Sequence, residues 1–169
     1  MTAYRPSRVM SLCAAIVLAG CGVLASDAQS QTAAKPSGQT KTAKAATAMR
    51  KVAIQVNQND KGVMDLALNN VRNIVEYYKG KGETVAIEVV TYGPGLHMLR
   101  ADTSPVKDRI APMALENPNV AFVACGNTQA NQSKAEGKPV TLISEAKVMP
   151  SGVVRLIELQ KQGYAYIRP

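Results

Sequence analysis

The 169-residue chain has no Trp, one Phe, one His and three Cys. So few large aromatics exclude a nucleic-acid stacking platform, which needs several exposed ring faces, and equally a sugar-stacking cleft. Three Cys are too few, and odd in number, for a disulfide framework. One His with so few Cys supplies no zinc ligand set, so no metal is expected. No Ser sits in a nucleophile-elbow pattern. Gly93-Pro94-Gly95 is not a phosphate loop, because no Lys-Ser/Thr follows and Pro94 lacks an N–H donor. No cofactor is expected. Asp102 and Asp108 are expected to face solvent on a helix flank.

What is present is a hydrophobic content of 46%, enough for a folded domain, and a formal charge of +8. The charge is unevenly spread. Residues 1–20 hold Arg5 and Arg8, and residues 21–50 hold Lys35, Lys41, Lys44 and Arg50 against Asp27. Residues 51–169 hold 14 basic and 11 acidic residues. A nucleic-acid-binding domain would concentrate the excess on the folded part, so no nucleic-acid partner is expected.

Residues 1–21 read as an export address. Arg5 and Arg8 form a positive n-region, and the apolar run Val9–Gly20 is about the length of a signal h-region and short for a membrane span. It ends in Leu18-Ala19-Gly20-Cys21, which matches a bacterial lipobox with small residues before the cut and Cys21 as the acylated thiol. Gly rather than Asp at position 22 favours the outer membrane in Gram-negative sorting. Ordinary signal cleavage after Ala25 or Ala28 and an uncleaved anchor remain open. The lipobox and ordinary-cleavage readings give an exported, periplasmic protein; the first also gives a lipid anchor as membrane partner. Residues 22–49, rich in Ser, Gln, Thr, Ala, Lys and Gly with no recurring apolar face, read as a flexible linker.

From residue 50 onward the pattern alternates. Apolar runs at Val52–Val56, Val85–Thr91 and Val120–Ala124 read as buried strands. Met64, Ala67, Leu68, Val71, Ile74, Val75 and Tyr78 fall at helical spacing, with Gly80 and Gly82 as stops. Further helices are expected at Leu96–Ala101, Val106–Glu116 and Thr128–Glu136. A weak strand is expected at Ala146–Met149. Ser151 then caps a helix with Val153, Val154, Leu156, Ile157 and Gln160 on one side, and Tyr164–Ile167 is the last strand. Fully apolar strands alternating with helices predict a mainly parallel sheet of four or five strands, covered on both faces.

In such sheets ligands sit at the carboxyl ends of the strands. Those ends here carry Asn57 and Asn59, then Tyr92, Gly93, Gly95 and His97, then Cys125, Gly126, Asn127 and Thr128. These are the candidate site residues, with Cys125 and His97 as the candidate catalytic pair and the others as ligand-binding positions. Cys125 is the one Cys of the domain. It reads either as a buried small hydrophobe or as a thiolate favoured by a helix start capped by Asn127 or Thr128. His97 reads either as a hydrogen-bonded loop residue or as a partner for Cys125.

The segments Tyr92-Gly93-Pro94-Gly95-Leu96-His97-Met98-Leu99, Phe122-Val123-Ala124-Cys125-Gly126-Asn127-Thr128, Pro150-Ser151-Gly152-Val153 and Leu159-Gln160-Lys161-Gln162-Gly163-Tyr164-Ala165-Tyr166 resemble the DsrE/DsrF-like proteins over roughly Lys51–Arg168. The resemblance implies a three-layer, flavodoxin-like α/β fold, called YchN-like, and assembly as a homo-oligomer, a trimer or hexamer. It also implies sulfur carried as a cysteine persulfide between donor and acceptor proteins, with Cys125 as the acceptor thiol. The sulfur-relay members are cytoplasmic, whereas this chain carries an export signal. A non-catalytic, oligomeric small-ligand-binding protein of the same fold is the alternative.

Overall fold

The structure, a computed structural model, describes residues 49–169. The signal, lipobox and linker readings, Cys21 among them, fall on residues 1–48 and lie outside the described residues; only position 49 of the linker is described.

Five strands form one parallel sheet: β1 (Arg50–Val56), β2 (Val85–Thr91), β3 (Val120–Cys125), β4 (Ala146–Met149) and β5 (Ala165–Ile167), in the order β4-β3-β2-β1-β5. Four helices join them: α1 (Lys61–Gly80), α2 (Lys107–Glu116), α3 (Gly126–Glu136) and α4 (Gly152–Lys161). The architecture is the three-layer, parallel α/β arrangement that the alternating pattern predicts. Asp60 starts α1 by accepting the Val63 amide at 3.0 Å, and Ser151 starts α4 by accepting the Val154 amide at 3.4 Å. Gly137 ends α3 in the left-handed conformation, with φ at 65°.

The chain steps outward from β1 to β4 and then returns across the sheet to β5. Right-handed crossovers put the helices of the outward steps on one face and the helix of the return step on the other. The two apolar clusters follow that division. Met64, Leu68, Leu96 and Ile110 pack with Ile54, Val89 and Phe122 on the first face. On the second face Leu156 and Leu159 of α4 cover Ala53, Val90 and Val123.

Three expectations are corrected here. The segment after β2 is a tight 3₁₀ turn, Gly93–Leu99, rather than a helix over Leu96–Ala101. In α4 the buried residues are Gly152, Leu156 and Leu159, while Val153, Val154 and Ile157 stand about half exposed; the apolar residues there surround the helix rather than forming one stripe. Asp102 and Asp108 are exposed as expected, but Asp102 precedes α2 rather than flanking it and pairs with the buried Arg100 at 2.7 Å, where Glu136 of α3 also meets the guanidinium. Arg100 holds the Asp102 carboxyl far below the ordinary carboxylate range by hydrogen bonding.

The 3₁₀ segment lies hard against the end of β1. A Cβ at Gly95 would stand 2.2 Å from the Val56 carbonyl oxygen and 2.7 Å from the Asn57 Cα. Both obstacles are backbone, so no side chain can swing away. Gly95→Ala is expected to destabilise the domain by about 1–3 kcal/mol in urea unfolding, the usual cost of forced overpacking. Gly80→Ala, where nothing lies within 4 Å, is expected to be neutral or to stabilise by up to about 1 kcal/mol.

Candidate functional site

Adjacent strands whose outgoing helices leave toward opposite faces open a crevice at their carboxyl ends. That point lies between β3 and β4, since β3 leads into α3 on one side and β4 leads into α4 on the other. The residues paired there are Cys125 and Met149. Cys125 lies on the α4 face of the sheet, two residues after Val123.

Two helix starts meet the thiol. Cys125 itself is the N-cap residue of α3, extended at φ −75° and ψ 113°, in place of the expected Asn127 or Thr128. The start of α4 presses on it from the other side: a Cβ on Gly152 would stand 3.2 Å from the Cys125 Cβ and 3.0 Å from the Tyr92 Cβ. Cys125 as a whole is 5% exposed. Burial pushes the thiol up; the Thr128 hydroxyl, then the amides of Gly152, Thr128 and Asn127, outweigh that and hold it below its ordinary value. The Asn127 amide also donates to the Pro150 carbonyl at 3.1 Å. As a neutral thiol Cys125 makes no capping hydrogen bond; the donors around it take effect on the anion.

The Thr128 hydroxyl is oriented from behind. Its oxygen accepts the Gly93 amide at 3.0 Å, which leaves its proton for the sulfur. Gln132 Nε2 donates to the Gly93 carbonyl at 3.3 Å, so the Gly93 peptide is held at both ends. The Tyr92 amide donates to the Val56 carbonyl at 3.3 Å. The expected residues Tyr92, Gly93, Gly126, Asn127 and Thr128 are thus gathered at Cys125, whereas Gly95 and Asn57 meet at the end of β1, two strands away. Asn59 is exposed in the loop before α1.

His97 has other company. Its Nδ1 lies 3.5 Å from the Thr103 hydroxyl, and its neighbours Leu96 and Met98 belong to the apolar cluster opposite α4. Among the described residues no hydrogen bond joins it to Cys125. The residue that sequence reasoning left out of the site is Gly152. Its signal was the Ser cap ahead of an apolar run at a strand end, which marks a second helix start at this edge. Beside the thiol, Met149, Pro150, Ser151, Val154, Arg155 and Glu158 line a cavity of about 190 Å³. Among the described residues no group of three or more His, Cys, Asp or Glu could hold a metal ion.

These features define an open parallel α/β domain with a polarised thiol at its topological switch point. A solved structure matches it: a protein of unknown function from Methanobacterium thermoautotrophicum, 32% identical, with a TM-score of 0.61, over 71% of this chain and 99% of that one. The chain belongs to the family of that archaeal protein. No protein-family model and no curated protein matches the chain. The match spans the solved archaeal chain almost end to end, so this domain is solved there on its own.

Thr128→Val is expected to raise the midpoint of the alkylation rate against pH and to slow alkylation several-fold near neutrality, while Thr128→Ser restores both. A thiol that ionises more readily in the folded state adds stability that is complete above the free-thiol value of about 8.5 and is lost as pH falls through the folded value. Unfolding free energy is therefore expected to rise across that window in the wild type and to stay flat in Cys125→Ser.

Proposed function

We propose that the chain is an exported, DsrE-like sulfur- or thiol-handling protein that works through Cys125. The observation that carries this reading is the convergence of two helix starts and the Thr128 hydroxyl on one sulfur at the switch point of the sheet. A thiolate there attacks the outer sulfur of a donor persulfide, R–S–SH. The donor S–S bond breaks, R–S⁻ leaves, and Cys125 becomes Cys–S–SH. An acceptor thiolate then takes the same sulfur and returns Cys125 to the thiolate, with no net oxidation. The amides that favour the thiolate favour the persulfide anion for the same reason.

The residue's 5% exposure supports a second reading, in which the domain is an oligomeric small-ligand-binding protein and Cys125 only packs. In both readings the copies associate through the outward face of α4. Val153, Val154 and Ile157 are 48–50% exposed there, on the side of the sheet that a single ten-residue helix covers. Export through residues 1–21, with Cys21 as the lipidated residue, places the domain in the periplasm or on the outer membrane. Among the described residues no helix is long and apolar enough to cross a membrane.

Intact mass of the exported protein, purified without reductant and again after polysulfide, reads both modifications together: an acylated N-terminal Cys21 and one or more added sulfur atoms on Cys125. Cys125→Ser is expected to lose the added sulfur and keep the fold. If Cys125 gains no sulfur and alkylates only after unfolding, the binding-protein reading takes over. In sedimentation the wild type is expected to be a trimer or hexamer at micromolar concentration, and Val153→Glu with Ile157→Glu is expected to shift it to monomer.

A further inference from the structure

We infer that the amino-terminal edge of the sheet, the edge opposite Cys125, is a docking surface for an anionic phospholipid bilayer. The inference does not depend on the chemistry of Cys125. β1 begins at this edge, and α1 and α4 end at it. They bring Arg50, Lys51, Lys79, Lys81 and Lys161 together with three tyrosines. Lys81 Nζ stands 4.3 Å from the Tyr77 ring centroid, Lys51 Nζ 5.7 Å from that of Tyr164, and the Arg50 guanidinium carbon 5.8 Å from that of Tyr78. Tyr77 is 57% exposed and Met49 is half exposed.

At the Cys125 edge Lys61 and Arg109 share Asp65, and Lys107 donates to the Ala101 carbonyl at 3.3 Å. At the opposite edge Glu83 is taken up by Arg50 at 2.8 Å. Lys51, Lys79, Lys81 and Lys161 pair with no carboxylate among the described residues. Helix carboxyl ends attract cations, but a protein that needed only to satisfy helix ends has no use for tyrosines beside each one. Amphipathic rings at headgroup depth with long cationic side chains reaching past them are the pattern of a membrane interface. Two cavities of about 300 and 310 Å³ indent the same edge, one beside Arg50 and Lys51 and the other beside Lys79.

The place where the chain enters points the same way. Residues 1–48 lead into the domain at Met49, beside this edge, and they contain the apolar run Val9–Gly20 and the lipobox Cys21. An anchor on Cys21 would keep the domain within reach of the bilayer, and docking of this edge would set its orientation. β1 has seven residues, so Cys125 would stand about 20 Å from the headgroups and face away from them.

The test uses residues 49–169, the unit that corresponds to the solved archaeal chain, so that no lipid anchor contributes. Sedimentation with vesicles of phosphatidylcholine alone is compared with sedimentation with phosphatidylcholine mixed with phosphatidylglycerol. Binding is expected to the mixed vesicles only and to weaken with salt. A lysine near such a surface is worth about fivefold in partitioning. Lys51→Gln, Lys79→Gln, Lys81→Gln and Lys161→Gln together are therefore expected to lower partitioning by about a hundredfold or more. Lys61→Gln with Lys107→Gln, at the other edge, is expected to leave it unchanged. Absence of binding to the mixed vesicles, an equal loss in both variants, or tighter binding to duplex DNA than to the vesicles would each overturn the proposal.

Discussion

Everything at the carboxyl edge depends on two places where the backbone has no room for a Cβ. Gly95 lets the segment after β2 lie on the end of β1, and Gly152 lets the start of α4 lie on Tyr92 and Cys125. Together they draw the ends of three strands and the starts of two helices into a space a few residues wide. A side chain at either position would push one layer outward. The donors that face the sulfur would move with it, because the Gly93 and Thr128 groups are positioned by the first contact and the Gly152 amide by the second.

The thiol's character is the outcome of a competition. Removal from water opposes the anion, whereas oriented amides and one hydroxyl favour it, and the donors prevail. No full positive charge takes part. Such a site changes little with ionic strength, since fixed peptide dipoles in contact with the sulfur are not screened as exposed ion pairs are. It also places no counter-charge where an incoming anionic sulfur species would have to displace it.

Much of this was legible in the residues. The unbroken apolar runs Val52–Val56, Val85–Thr91 and Val120–Ala124 specified a parallel sheet, and the order of strands and helices put Cys125 at its carboxyl edge. The strand-end placement of Asn57, Tyr92, Gly93 and Thr128 was legible for the same reason. The neighbour that His97 meets, the Thr103 hydroxyl, was not, because topology assigns residues to an edge without saying which group each side chain reaches. The face of α4 was misjudged for a related reason. Val153, Val154 and Ile157 are as apolar as Leu156 and Leu159, and periodicity cannot choose between stripes when a helix is apolar nearly all round. The capping position was missed because Cys is not a usual capping residue, whereas Asn and Thr are.

The thinness of the α4 layer has a consequence for how the molecule moves. Two leucines, worth about 1.5–3 kcal/mol each, and the Arg155–Glu88 ion pair attach α4 to the sheet, and three residues of β5 follow it. In a copy whose α4 face is free of its neighbours, such a segment is the natural unit of sub-global opening, with a free energy well below that of the whole domain. Lifting the first turn of α4 removes Gly152 from the sulfur. The same event that uncovers Cys125 thus withdraws one of the amides that ionise it, so the closed form holds the reactive anion and the open form admits the reagent. Turnover at this cysteine would then be paced by how often the α4–β5 flap breathes rather than by the intrinsic reactivity of the thiol.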